Sequence, residues 1–120
     1  PHIGRLSRLG VLAAEQGAGL AYVESVSNLI WSGAVDGWDE GDHLAHAAVA
    51  AGLDPVTLEA QAVAGTDRLD AVLHTNEAAQ AAAGHWGVPL FVYRDEPFFG
   101  QDRLPDLLWR IAQNRRTEAV

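Results

Sequence analysis

The chain has 120 residues, no cysteine and a formal net charge of −8 at pH 7. Its length suits one domain, and an apolar content of 48% is enough to build a modest core. The negative charge argues against a nucleic-acid partner, because phosphate binding depends on Lys and Arg. Without cysteine, these residues can form no disulfide, no CxxC redox pair and no thiolate zinc site.

The same composition bears on location and fold class. No stretch is long and apolar enough to span a membrane, and the first residues do not resemble a signal peptide. We therefore expect no membrane contact and a cytoplasmic location. Alanine dominates the apolar content and is the best helix former, so a mostly helical chain is expected.

Apolar residues at helical spacing predict two helices in the first 30 residues. The first helix is expected to end near Gly17, and a loop is expected from residue 31 to residue 38. The apolar stripe of the first helix is Ile3, Leu6, Leu9 and Ala13. The stripe of the second is Leu20, Val23, Val26 and Ile30.

Three more helices are predicted from their start and stop residues. Asp39 is expected to cap the third, and Asp54-Pro55 opens the fourth with an N-cap and a proline at the first helical position. The fifth begins at residues 65–67 and ends at Gly84, an expected left-handed C-cap. The apolar face of the third is Leu44, Ala47, Ala48 and Ala51, and that of the fifth is Leu69, Val72, Leu73 and Ala79.

The last third of the chain has a different character. Residues 88–92 are continuously apolar and rich in β-formers, which predicts a buried strand. Arg94-Asp95 makes a tight turn into a second strand, where Pro97 indicates a sheet edge. A final helix follows from Gln101-Asp102. Its inward residues are expected to be Leu104, Leu107, Leu108 and Ile111.

The predicted hairpin raises a difficulty. A lone two-stranded hairpin is marginal in water, and a strand apolar on both faces normally has neighbours on both edges. This chain supplies one neighbour, so part of a sheet is expected to be missing. The predicted fold class is α+β, mostly helical, with a helical region at 1–83 and a C-terminal ββα portion at 84–120 in one structural domain.

Two C-terminal motifs together resemble the end of a thioredoxin-like family that includes 2-hydroxychromene-2-carboxylate isomerases, DsbA and kappa-class glutathione transferases. They are GHWGVPLFV at residues 84–92 and FFGQDRL at residues 98–104. Looser matches are AAGLD at 50–54 and TNEAA at 75–79. The resemblance implies a thioredoxin fold interrupted by a helical insertion. It also implies that the N-terminal strand-helix-strand unit, which carries the catalytic Ser or Cys, is absent here, in agreement with the missing sheet neighbour.

The resemblance also implies a glutathione site. The Val88-Pro89 bond would be cis, and the Val88 backbone would bind the cysteinyl part of glutathione like an added strand. Gln101 and Asp102 would hold the γ-glutamyl end, Asp102 through its amine. The alternatives are a trans proline at the start of a strand and an acid that only complements a helix N-terminus. Trp86 is expected to lie in the core or in a pocket wall.

A run of acidic and imidazole side chains permits a metal-site interpretation. Its members are Asp39, Glu40, Asp42, His43 and His46, with the two histidines one helical turn apart. Zinc requires a defined third or fourth ligand, and acids in a first helical turn are favourable without any metal. We therefore interpret the run as an acidic helix start with two surface histidines, and expect no metal and no catalytic residue in this chain.

The resemblance implies a portion of a glutathione-dependent isomerase or transferase that is not competent alone. Its reaction would be cis–trans or ring-opening isomerisation of a small aromatic-derived acid, with the glutathione thiolate as transient nucleophile. One alternative is a non-catalytic homodimeric module whose Val88–Val92 edges pair into one sheet. Another is a thiol-disulfide oxidoreductase relative.

Overall fold

The structure, a computed structural model, describes residues 2–118 and confirms a mostly helical α+β chain. Within that range there are six α-helices, one 3₁₀ turn and a two-stranded sheet. The helices are α1 (His2–Glu15), α2 (Gly19–Trp31), α3 (His43–Ala50), α4 (Pro55–Ala64), α5 (Thr66–Ala82) and α6 (Leu104–Glu118). None of the helices between residues 2 and 118 is long and apolar enough to cross a membrane.

The chain divides into two compact units, one ending at Leu73 and the other beginning at His74. The boundary lies within α5, so this helix contributes residues to both units. The predicted regions 1–83 and 84–120, taken together as one structural domain, stay a prediction.

The first unit is built around one apolar core. In it α1 packs against α2 and α4, and α3 packs against α2 and α4. The buried core residues are Leu9, Leu12, Ala13, Tyr22, Val26, Leu44, Ala47, Ala48, Ala51, Leu53, Leu58, Ala62 and Leu69. Leu69 is fully buried and brings the start of α5 into this core. Small alanines at the α2–α3 contact let these helices approach closely.

Two arginine pairs link α1 to α5 at the edge of this core. Arg8 holds Asp70 with Nε 2.6 Å from Oδ1 and Nη2 2.9 Å from Oδ2. Arg68 holds Glu15 through two similar bonds of 2.6 and 3.1 Å. Paired geometry of this kind fixes orientation, while the apolar core supplies most of the stability of the unit, because exposed ion pairs contribute little.

The predicted apolar stripe of the second helix is wrong in part. Leu20 is 85% exposed and Val23 is also exposed, whereas Tyr22 and Val26 are buried. The buried side of α2 is the one that meets α1 and α3, and residues four apart share that side. The Tyr22 ring is apolar but carries a hydroxyl, so a pattern of purely apolar residues does not mark the side of α2 that is buried.

The predicted start of the third helix is wrong as well. The helix begins at His43, and Asp42 occupies the N-cap position without a side-chain capping bond. Gly37 and Gly41 have φ of 64° and 54°, a conformation that interrupts a helix, so Asp39 lies in a turn. The expected buried face of this helix is confirmed. The predicted cap of α4 is also confirmed, since the Asp54 side chain accepts a bond from the N–H of Thr57 at 3.0 Å.

The second unit holds the hairpin of β1 (Leu90–Tyr93) and β2 (Glu96–Phe99), with α6 packed against both strands. The antiparallel register is Leu90↔Phe99, Phe91↔Phe98, Val92↔Pro97 and Tyr93↔Glu96. Arg94 and Asp95 have φ of 52° and 66°, which suits a two-residue turn of the right twist and confirms the predicted turn. Phe98 is the buried centre of this hairpin.

The expected burial of this unit is wrong at several positions. Val88 is 79% exposed and Val92 50% exposed, so the first strand is not a buried one. On α6, Leu104 and Leu108 are exposed rather than inward, and Trp86 is exposed rather than in a core. Within residues 2–118 the sheet has two strands, and this leaves one edge of β1 and much of the α6 surface uncovered.

Candidate functional site

The two motifs that resemble a glutathione site meet at the open end of the hairpin. The N–H of Gly100 donates to the carbonyl oxygen of Pro89 at 2.9 Å, one step beyond the Leu90↔Phe99 pair. This bond places Val88-Pro89 beside the 3₁₀ turn Gln101–Arg103. The Val88-Pro89 peptide bond is cis, which confirms the prediction and makes the trans alternative wrong.

The backbone of Val88 is open at this point. Neither its N–H nor its carbonyl bonds to another residue in the described part of the chain, and its side chain is largely exposed. Free main-chain groups next to a strand are the feature by which an extended peptide can add to a sheet. The Val88 backbone can therefore pair with a peptide ligand or with another strand.

Asp102 turns its carboxylate back over Gly100. A Cβ built on Gly100 would overlap Oδ1 of Asp102, and Gly100 has a φ of 95°, so this close approach depends on glycine. Among residues 2–118, neither the Asp102 carboxylate nor the Gln101 side-chain amide has a hydrogen-bond or ion-pair partner. The neighbouring Arg103 pairs with Asp106 at 3.2 Å. One unpaired carboxylate thus lies against the junction that holds Pro89.

The loop before Val88 is fixed by contacts that the sequence did not reveal. Gln80 on α5 donates from Nε2 to the carbonyl of Gly87 at 2.8 Å, and the N–H of Gly87 donates to Nδ1 of His85 at 2.8 Å. The His85 ring stacks on Phe99, with centroids 3.6 Å apart and planes at 13°. These contacts fix the conformation of the loop that leads to Val88. In the sequence, the glycine of WGVP is the one residue that indicates such close packing.

A model of the DSBA-like thioredoxin domain matches residues 3–112. The chain belongs to the DSBA-like thioredoxin domain family. The match includes both C-terminal motifs and the helices before them. A search of curated proteins and a search of solved structures each found no significant match. The resemblance is therefore confirmed at the level of the DSBA-like family, and the glutathione-dependent isomerase branch stays a proposal.

The site of this DSBA-like domain fits glutathione in two respects. Glutathione is an extended tripeptide with main-chain amides and a free ammonium group. The open Val88 backbone can pair with its amides, and the Asp102 carboxylate can accept the ammonium protons, as charge-assisted bonds require. Val88 and Asp102 are the residues that would make these two contacts, and the roles expected for Pro89 and Gln101 stay predictions.

The other candidate groups of the DSBA-like domain do not converge. In the described residues no group of three or more His, Cys, Asp or Glu side chains could hold a metal ion. His46 and Asp42 are exposed and His43 is half-buried. A disulfide exchange reaction would need a cysteine that these 120 residues do not contain.

Proposed function

We propose that this DSBA-like domain supplies the glutathione-binding part of a glutathione-dependent isomerase of the 2-hydroxychromene-2-carboxylate type. One observation carries the proposal. The unpaired Val88 backbone and the unpaired Asp102 carboxylate lie on the two segments joined by the Pro89–Gly100 hydrogen bond. A peptide backbone group beside a carboxylate suits a ligand that carries both an amide and an ammonium group.

In this proposal different residues bind different parts of glutathione. The Val88 backbone pairs with the cysteinyl amides, and Gln101 and Asp102 receive the γ-glutamyl end. Bound glutathione supplies a thiolate that adds transiently to a small aromatic-derived acid and allows its isomerisation. The Ser or Cys that polarises the thiolate would come from a segment other than these 120 residues, so we expect no activity from them alone. A cytoplasmic location belongs to the same proposal.

Calorimetric titration of the chain with glutathione tests the proposal. The second ligand is N-acetylglutathione, which lacks the ammonium charge but keeps the rest of the molecule. We expect glutathione to bind about fivefold more tightly than the acetylated form, the value of an exposed ion pair near 1 kcal/mol. Asp102→Asn should remove this preference. Asp106→Asn, an exposed acid paired with Arg103, is the matched control and should keep it.

The result that contradicts the proposal is equally direct. If glutathione does not bind at millimolar concentration, or if Asp102→Asn and Asp106→Asn weaken its binding equally, the site is not a glutathione cradle. Binding that is equal for both ligands would remove Asp102 from its role but leave the Val88 backbone contact in place.

A second candidate function rests on the uncovered edge of β1. In the described part of the chain this edge is unpaired, Val92 is exposed on β1, and Val88 is exposed two residues before the strand begins. An open apolar groove of about 360 Å³ runs beside them, with Ala79, Ala83 and Leu90 in its walls. We propose as the alternative a homodimer in which two β1 edges pair into a four-stranded sheet.

Solution mass measurements test the dimer. Val92→Lys puts a charge on the proposed contact and should convert a dimer to a monomer, because edge lysines oppose strand pairing. The control is Val63→Lys, a valine on α4 that is 77% exposed against 50% for Val92, and it should leave the mass unchanged. A monomeric wild type, or a dimer that both variants retain, would exclude this edge as the interface.

A further inference from the structure

One side of α2 carries an apolar stripe that neither proposed function uses. Leu20 is 85% exposed, Val23 58% and Trp31 83%. With the exposed Ser27 they recur every three or four residues, so they lie on successive turns of one helix side. The buried side of α2, which meets α1 and α3, lies opposite. Single exposed apolar residues are ordinary, but a row of them along a whole helix indicates contact with another molecule. We call this row the α2 stripe.

An open groove of about 490 Å³ runs beside the α2 stripe, between α2 and the end of α3. It is lined by Ala21, Glu24, Ser25, Asn28 and Ala50. Three of these five side chains are small and leave room for a long side chain between the helices. Glu24 follows Leu20 by four residues, so it borders the stripe as well as the groove. Among residues 2–118 the Glu24 carboxylate has no hydrogen-bond or ion-pair partner. The groove therefore suits a long cationic side chain.

The charge of the first unit defines what can cover the stripe. Residues 1–73 contain ten acidic residues against three arginines and no lysine. Each arginine is already held by an acid, in the pairs Arg5–Glu59, Arg8–Asp70 and Arg68–Glu15. Five of the other seven acids lie on α2 or between α2 and α3: Glu24, Asp36, Asp39, Glu40 and Asp42. This charge attracts a basic partner, and it repels a second copy of the unit, an anionic membrane or a nucleic acid.

We propose that the α2 stripe docks a cationic amphipathic helix of a partner protein. Apolar side chains spaced three and four residues apart on that helix pack against Leu20, Val23 and Trp31. A lysine or arginine beside them enters the groove and donates to the Glu24 carboxylate. Every residue of this surface belongs to the first unit, and every residue of the proposed glutathione cradle belongs to the second. The two proposals therefore rest on different residues.

Two designed helical peptides test the surface. Both carry leucines three and four residues apart, and the remaining positions are lysine and alanine in one peptide and glutamate and alanine in the other. Each is titrated into the 120-residue chain by two-dimensional NMR, with the amide signals of α2 as the readout. We expect the lysine peptide to shift these signals and to bind at least about tenfold more tightly than the glutamate peptide. Its affinity should fall as salt is added.

Two variants show whether the lysine peptide binds at this surface. Leu20→Ser removes an apolar contact and should weaken binding about tenfold. Glu24→Gln removes the charge at the groove and should weaken it about fivefold. The controls are Val63→Ser, a valine 77% exposed on α4, and Asp67→Asn, an exposed acid on α5. All four side chains are exposed, so the fold should persist, and both controls should keep the wild-type affinity.

Three results would overturn the proposal. The first is a lysine peptide that leaves the α2 signals unchanged at millimolar concentration. The second is equal weakening by all four variants, which would mean that the peptide is attracted to the acidic unit as a whole. The third is a wild-type dimer that Leu20→Ser converts to a monomer, because a second copy would then cover the stripe.

Discussion

The loop before Val88 provides the sharpest test of how the candidate site is held. A Cβ added to Gly87 would lie 2.5 Å from Cε2 of Phe99 and 2.9 Å from Cε1 of His85. Real Cβ atoms do not approach other atoms this closely, so the Phe99 ring or the loop must move. Overpacking of this kind costs about 1–3 kcal/mol. We expect Gly87→Ala to lower the free energy of unfolding of the second unit by that amount.

Urea titration followed by two-dimensional NMR measures this effect unit by unit. The four tryptophan indole signals report on the two units: Trp31 and Trp38 on the first, Trp86 and Trp109 on the second. The second pair should lose its folded signals at lower urea concentration in Gly87→Ala. In a Phe99→Ala background the same substitution should cost less, because the ring that causes the closest overlap is gone.

Gly4→Ala is the control for the glycine substitution itself. A Cβ on Gly4 meets no atom within 4 Å, and the residue lies in α1. Alanine there should stabilise the chain by about 0.5–1 kcal/mol, the usual helix preference over glycine. Unchanged urea midpoints for Gly87→Ala would refute the steric argument and show that the loop moves aside freely.

Three further outcomes are expected. Leu69→Ala should lower the free energy of unfolding by about 2–5 kcal/mol in urea titration, because Leu69 is fully buried. Hydrogen bonds from the hydroxyl and backbone N–H of Thr57 hold the pKa of Asp54 below its ordinary 3.8. Wild type should therefore have a higher free energy of unfolding than Asp54→Asn above pH 4, and this difference should be lost in more acid solution. Arg110→Ala removes the 2.9 Å bond to Glu96 between α6 and β2 and should lower the free energy of unfolding by about 0.5–1 kcal/mol. The folded Trp109 signal should then be lost at lower urea concentration, and the difference from wild type should shrink at high salt.

Local sequence chemistry predicted the features that depend on one or two residues. Asp54-Pro55 specifies the start of α4 through a cap and a fixed φ, and Arg94-Asp95 specifies the hairpin turn. Both work within a few residues, so no knowledge of the remaining chain is needed. The hairpin register follows from the turn, and with it the position of Pro89 beside Gly100.

Features that depend on distant neighbours could not be predicted in this way. The burial of Tyr22 and the exposure of Leu20 depend on which side of α2 meets α1 and α3. The same limit applies to the bond from Gln80 to Gly87, which joins a helix to a loop. Helical periodicity shows which residues share one side of a helix. It does not show which side packs against the other helices.

The two proposed functions of the second unit make competing demands on Val88. A β1 edge paired with a second copy would place another backbone beside the groups that glutathione needs, because both use the same open main chain. Binding that favours one state lowers the population of the other. If wild type is a dimer through this edge, glutathione should therefore lower its average mass in a concentration-dependent way, and Val92→Lys should bind glutathione more tightly than wild type. A dimer that binds glutathione to saturation without any change in mass would show that the contact between copies lies elsewhere, and would leave the Val88 backbone to the ligand alone.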